Sequence, residues 1–316
     1  MGALKLDMSK NNINICLACD NNYAVHAGVV IASILVNANI DDKHTFFILD
    51  GGIEESQKAK LLELKRIKDC DILFVNINDS LFEDYKQIRT HNYVTLATYY
   101  RLKLPSLLPD VNKIIYFDCD FVVNTSLKEL FETDLENCPI AGVVDIKKKM
   151  VLANPTYVNA GMLIFDLDKM RELNIEEKFL VWSLKNIANI TCGDQEILNE
   201  VCKGNIKLLD AEWNVQSSNF TNRSNYTQKP KGIHFVSKKK PWHFASYSYH
   251  RNYYFKYLQL TPWALNKKDL FIWKYVNQVA SLLCYIGYRP LFLLRPKFYL
   301  ALFYTYIKPV IGGKAV

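Results

Sequence analysis

Two aspartates one residue apart, Asp118 and Asp120, close the apolar run Ile114–Phe117 and precede a second one, Phe121-Val122-Val123. In extended backbone, residues i and i+2 point to the same side. Carboxylates set side by side repel each other, and burying them unpaired is costly. A divalent ion held by both, and bridging them to a phosphorylated substrate, is the economical solution. The pair stands at the end of an apolar strand. Ligands of open α/β sheets bind at the carboxyl ends of strands.

The elements needed to place such a pair are legible upstream. Asn14–Ala18 reads as a strand followed by the polar loop Asp20-Asn21-Asn22-Tyr23, and Ala24–Val36 as a helix with a long apolar stripe. His44–Leu49 is a second strand turning at Asp50-Gly51-Gly52, Glu54–Ile67 a helix, and Asp71–Asn76 a third strand. Strand and helix in alternation predict βαβ units and an open α/β sheet. Tyr93–Leu104 reads as a helix stopped near Pro105, and Lys113–Val123 as one apolar strand broken by the aspartates. Ile140–Val144, Val158–Asp166 and Ile206–Leu209 are further strands, with helices such as Ile175–Asn186 between them.

An Asp-x-Asp after four apolar residues has two common meanings. One is a phosphatase of the haloacid dehalogenase type, with Asp118 as nucleophile. That pattern opens near the N-terminus, whereas three strands precede it here. It also needs an acid soon after Gly193-Asp194, where Leu198 and Asn199 stand. The other meaning is a metal-dependent glycosyltransferase that uses a nucleotide sugar.

Six segments in order resemble glycosyltransferase family 8, the group of glycogenin and the bacterial lipopolysaccharide α-galactosyl- and α-glucosyltransferases. They are Ala18-Cys19-Asp20-Asn21-Asn22-Tyr23, Thr98-Tyr99-Tyr100-Arg101-Leu102, Asp118-Cys119-Asp120, Asn159-Ala160-Gly161, Asp194-Gln195-Glu196-Ile197-Leu198-Asn199, and His234 six residues before Lys240-Pro241-Trp242. The resemblance covers roughly residues 12–250. The resemblance implies an α/β GT-A fold, a Rossmann-like mixed sheet flanked by helices. It also implies a UDP-sugar donor, Mn²⁺ with Mg²⁺ as the alternative, and transfer with retention of anomeric configuration.

It further implies roles for single residues. Ala18, Asp20, Asn22 and Tyr23 would hold uracil and ribose. Asp118, Asp120 and His234 would hold the metal, and an imidazole among the ligands suits Mn²⁺ better than Mg²⁺. Lys240 would neutralise the diphosphate leaving group. Arg101, Asn159, Ala160 and Asp194 would bind the sugar, since paired polar contacts reject wrong epimers more sharply than apolar ones. Gln195 would lie nearest the anomeric carbon. Its amide oxygen is a poor nucleophile, so retention by front-face attack is expected over a double displacement through Gln195 or Asp194. Asp145 and His91 are placed toward the acceptor, and Lys147–Pro155 is read as a covering loop. Ser237 stands where the family often has glycine.

Composition locates the partners. The 316 residues carry 39 Lys and Arg against 32 Asp and Glu, a net charge of +7. Residues 1–260 balance at 31 of each sign, whereas residues 261–316 hold eight basic residues, one acid (Asp269) and 12 of the 41 aromatics. A neutral body excludes nucleic-acid coating. A basic, aromatic end broken by Lys274, Arg295 and Lys297 is too interrupted to span a bilayer but suits one lying on an anionic surface. The expected organisation is a catalytic domain over 1–260 and a helical, membrane-associating tail over 261–316. Met1–Ser9 has no apolar core of a secretory signal, and eight scattered cysteines suit reduced thiols, which points to the cytoplasm and the inner face of its membrane. Cys16 and Cys19 form a C-x-x-C on a buried strand with no second Cys/His pair nearby, so they read as core residues. The full expectation is a retaining hexosyltransferase that moves galactose or glucose from UDP to a lipid-linked oligosaccharide of the lipopolysaccharide type.

Overall fold

The computed structural model describes residues 12–88, 96–145, 154–217, 230–236, 238–244, 246, 248, 250–273 and 280. The first apolar run forms β1 (Asn12–Cys19), in which Ile15, Cys16 and Leu17 are fully buried. It pairs in parallel with β2 (Lys43–Asp50) on one side and β4 (Lys113–Phe117) on the other, and β2 pairs in parallel with β3 (Asp71–Asn76). The chain thus steps outward from β1 to β3, then returns to the far side of β1. That reversal opens a crevice at the carboxyl ends of β1 and β4, the switch point where such sheets bind ligands.

With β6 (Ile140–Val144), β7 (Val158–Asp166) and β8 (Ile206–Leu208), the seven-stranded order is β3-β2-β1-β4-β7-β6-β8. β7 runs antiparallel to both of its neighbours, so the sheet is mixed. Its two faces are covered differently. Ile15, Leu17, Ile115 and Phe117 pack with the helix Ala24–Asn37, while Cys16, Ile114 and Tyr116 pack with Leu104, Met170, Phe179 and Ile197. Burial on both faces explains why these strands read as unbroken apolar runs. Each such side chain removed from water stabilises the fold by roughly 1.5–3 kcal/mol.

Two expectations are corrected. The segment 113–123 is two strands, not one. β4 belongs to the large sheet, whereas β5 (Phe121–Val123) belongs to a three-stranded sheet of order β5-β10-β9, with β9 at Val215–Gln216 and β10 at Gly232–His234. The aspartates make the turn between the sheets: Asp118 N–H donates to the Gly161 carbonyl (2.8 Å), and the Asp120 carbonyl accepts from Phe235 N–H (2.8 Å). Pro105 likewise starts a turn rather than ending a helix. Leu96–Lys103 is 3-10 helix, and Leu104–Leu107 is an α-turn with the proline in its first turn, where a missing N–H costs no bond. His91 lies outside the described residues, as do Ser237 and residues 147–153 of the expected loop.

Past residue 260 the described chain continues to pack on the body. Trp263 lies so close over Gly28 that a Cβ there would meet its ring at 2.5 Å, and its Nε1 donates to Gln57 Oε1 (3.0 Å). Phe271 and Ile272 are exposed. Residues 274–279 and 281–316, most of the expected tail, lie outside the described residues, and no helix among those described is long and apolar enough to cross a membrane.

Candidate functional site

The turn between the two sheets gathers the charged residues. Antiparallel pairing sets His234 opposite Phe121, one residue past Asp120. His234 Nε2 lies 3.1 Å from Asp120 Oδ1 and 3.8 Å from Asp118 Oδ2. One ligand atom from each of the three lies within 4.8 Å of the others. Gly161 makes this possible, because a Cβ there would stand 2.0 Å from His234 Cε1.

Hydrogen bonding fixes what this cluster can hold. Asn159 Oδ1 accepts from Gly161 N–H (3.1 Å) and Asn214 Nδ2 (3.0 Å), so it is an acceptor toward His234 Nδ1 at 2.9 Å. That contact fixes the ring and turns Nε2 toward the two carboxylates. Asp120 Oδ1, buried beside it, has no aligned donor. A ring nitrogen, an unpartnered carboxylate oxygen and a second carboxylate are donor types that a divalent metal takes, and the residues fit one. On the other oxygen of Asp120 stands Lys240, whose Nζ also donates to the Phe235 carbonyl at 2.9 Å. Burial would raise the Asp120 carboxyl, but Lys240 and then His234 outweigh it and hold the pKa well below the ordinary value.

Arg101 ties this cluster to a second one. It is buried, lies 4.1 Å over the Tyr116 ring, and donates from Nη2 to Asp118 Oδ1 (2.7 Å) and from Nη1 to the Ala160 carbonyl. Its Nε–H points at the Thr98 carbonyl (3.1 Å), so Asp194 Oδ2, 3.0 Å from the same nitrogen, feels the charge without an aligned donor. Burial then raises the Asp194 carboxyl to about 6, against the pull of Arg101 and with a further push from Asp118.

Beyond Asp194 the chemistry turns neutral. Gln195 Oε1 accepts from Ala160 N–H (3.0 Å) and Asn159 Nδ2 (3.2 Å), while its Nε2 donates to Asp145 Oδ2 (3.1 Å). Asn159 Nδ2 reaches the same Asp145 oxygen at 3.1 Å. Across the cleft, Asp20 caps the 3-10 turn Asn21–Tyr23 by accepting from Tyr23 N–H (3.0 Å). Asn22 and the Tyr23 ring are exposed, and Ala18 is half-buried at the end of β1. Burial, then Asp120, raise the Tyr23 hydroxyl to about 12. The structure thus brings Asp118, Asp120, His234, Lys240, Arg101, Asp194, Asn159, Ala160, Gln195 and Asp145 into one connected network, with Ala18, Asp20, Asn22 and Tyr23 on the neighbouring strand end.

Some supporting residues carried no role in the sequence reading. Asn199 is fully buried and clamps β7, accepting from Val158 N–H (2.7 Å) and donating to the Val158 and Gln195 carbonyls (2.8 Å each). Its signal was a lone amide after Ile197-Leu198, four residues from Gln195 and so on the same helix face. Trp242 stacks on His26 with ring centroids 3.6 Å apart, and His26 Nδ1 meets the Tyr254 hydroxyl at 2.7 Å. Residue spacing gives no sign of that contact.

Comparison with known proteins agrees with this geometry. The family model described as glycosyl transferase family 8 matches residues 14–246. A putative glycosyltransferase of Haemophilus influenzae is 32% identical over 250 residues, 73% of each chain. A lipopolysaccharide 1,2-glucosyltransferase of Escherichia coli is 27% identical over 288 residues, 82% of this chain and 81% of that one. Among solved structures, the galactosyltransferase LgtC in complex with donor and acceptor sugar analogues superposes with a TM-score of 0.70 at 25% identity, covering 81% of this chain and 98% of the other. The GT-A expectation is met, and the phosphatase alternative has no support.

Proposed function

The chain belongs to glycosyl transferase family 8, and on that premise we propose that it moves galactose or glucose from a UDP donor to a lipopolysaccharide or lipooligosaccharide acceptor, with retention. The observation that carries the donor half is the Asp118, Asp120, His234 cluster with Lys240 beside it. The glucosyltransferase and galactosyltransferase relatives support the choice of hexoses, and the former also supports the acceptor class.

In this reading Asp118, Asp120 and His234 hold a divalent ion, Mn²⁺ by preference, which supplies Lewis-acid charge to the departing diphosphate. Ala18, Asp20, Asn22 and Tyr23 hold ribose and uracil at the end of β1. Lys240 offers the diphosphate a fixed positive charge. Asp194 and Asn159 accept and donate to sugar hydroxyls, with Arg101 and the Ala160 backbone fixing the wall behind them. The Gln195 amide oxygen already accepts two hydrogen bonds, which supports its use in orienting groups rather than as a nucleophile. Front-face attack then suits retention, the leaving phosphate oxygen taking the acceptor hydroxyl proton. Asp145, oriented by Asn159 and Gln195, stands toward the acceptor.

The test is turnover of UDP-galactose and UDP-glucose with and without Mn²⁺, against truncated lipopolysaccharide acceptors. Asp120→Ala should lower turnover by about 10³-fold, the scale of a lost transition-state electrostatic contact. Turnover of neither donor, or an intact rate in Asp120→Ala, would sink the reading. The basic, aromatic end supports a peripheral site at the cytoplasmic membrane face. Because Trp263 packs on Gly28, the informative truncation removes only residues 281–316. It should keep donor hydrolysis and lose co-sedimentation with anionic vesicles, and equal sedimentation of both forms would refute the membrane role.

A further inference from the structure

Lys240 differs from the lysines before it. Lys238 and Lys239 are exposed, whereas the Lys240 side chain is 15% exposed and its ammonium sits inside the turn that joins the two sheets. It meets Asp120 Oδ2 and, at 2.9 Å, the carbonyl of Phe235, the residue after His234. Phe235 N–H in turn bonds the Asp120 carbonyl at 2.8 Å. The ammonium therefore occupies one flank of the Asp118, Asp120, His234 cluster.

We propose that Lys240 stands in for the metal ion in the ligand-free protein and is released to the diphosphate on loading, so that metal and nucleotide bind with positive coupling. The inference rests on the reading of this cluster as a metal–diphosphate site. Its physical basis is competition for one carboxylate. Asp120 cannot give its full charge to a divalent ion while it also neutralises an ammonium, and two cations on one buried carboxylate repel with little screening. A diphosphate resolves the conflict by offering Lys240 another anion. By linkage, whatever removes the ammonium from Asp120 tightens metal binding, and bound metal tightens nucleotide binding by the same factor.

The backbone around Lys240 is already fixed, so the exchange needs only the side chain to turn. Lys240 N–H faces His243 Nδ1 (3.3 Å), and His243 N–H donates to the Lys240 carbonyl (3.0 Å). Two residues on, Trp242 is stacked on His26 at an interplanar angle of 18° and lies 5.1 Å from the Tyr254 ring. A flexible four-carbon stem with a compact point charge suits a swing between two anions; a planar, bidentate arginine would not.

The experiment is Mn²⁺ titration followed by electron paramagnetic resonance of the free ion, without and with UDP. It compares the parent with Lys240→Met, Lys240→Gln and the exposed control Lys239→Met. UDP should tighten Mn²⁺ binding by the parent roughly 100-fold, within the range of coupled sites. Lys240→Met should bind Mn²⁺ alone about 10-fold more tightly than the parent and lose about the same factor of the UDP effect. Lys240→Gln, which keeps a donor for Asp120 and the Phe235 carbonyl, should do the same if the methionine variant misfolds. Lys239→Met should match the parent. Unchanged or weaker Mn²⁺ binding by both folded Lys240 variants overturns the stand-in role while leaving the metal site in place. A parent that binds no Mn²⁺ with or without UDP overturns both.

Discussion

The two rims of the cleft are built on opposite principles. On one, Asp118, Asp120, His234 and Lys240 gather at the turn between the sheets, and Asp120 Oδ1 is left with no aligned donor. On the other, Asn159, Gln195 and Asn199 form a lattice of amides in which Asn159 Oδ1, Gln195 Oε1 and Asn199 Oδ1 all accept hydrogen bonds from within the protein. The charged rim keeps an oxygen open, whereas the amide oxygens are already bonded within the protein, so the two should answer differently to substitution.

His234→Ala and Asn199→Ala test that difference most sharply. Removing the imidazole takes away a ligand atom, and turnover should fall by about 10²–10³-fold, with loss of Mn²⁺ binding and a small change in urea midpoint. Removing the Asn199 amide strands the Val158 N–H and carbonyl in a fully buried setting. Orphaned buried groups of this kind cost about 2–3 kcal/mol together, read as a lower urea midpoint at unchanged slope. If His234→Ala proves the less stable of the two, or if Asn199→Ala loses activity without losing stability, the division of labour is wrong.

The two rims were also unequally legible in the sequence. The charged one could be read from short motifs, because Asp-x-Asp at a strand end and a loop after the first strand carry local meaning. Strand boundaries at β6 and β7 and the helix Ile175–Asn186 followed from apolar periodicity alone. The turn at Asp118–Asp120 was hidden because apolar residues flank it on both sides, so the change of sheet left no break in hydropathy. That change is set by the Gly161 and Phe235 backbone, 43 and 115 residues downstream in sequence terms of Asp118 and Asp120. The amide rim was visible only as single Asn and Gln residues. Its pairing depends on β7 lying antiparallel between β4 and β6, which no local pattern encodes.

Asp194 lies where the rims meet, and its titration tests the boundary with the smallest effect. Arg101 pairs it with Asp118 across the cleft, yet burial raises its carboxyl from the ordinary 3.8 to about 6. The folded protein therefore keeps a proton that the unfolded chain releases. This carboxyl's contribution to stability is present below pH 3.8 and is lost as pH rises through 6. Buried His26, His44 and His250 act with the opposite sign: burial lowers them to about 3, 4 and 4, so their contribution is present above pH 6.5 and lost on acidification. A pH profile of the parent alone mixes the two. Asp194→Asn retains all three histidines, so its difference from the parent isolates the carboxyl. Measured by urea unfolding, that difference should shift in favour of the variant by on the order of 2 kcal/mol between pH 4 and pH 7.5. A difference that stays flat with pH would mean that the Arg101 charge fully compensates burial, and that Asp194 belongs to the charged rim rather than to the join.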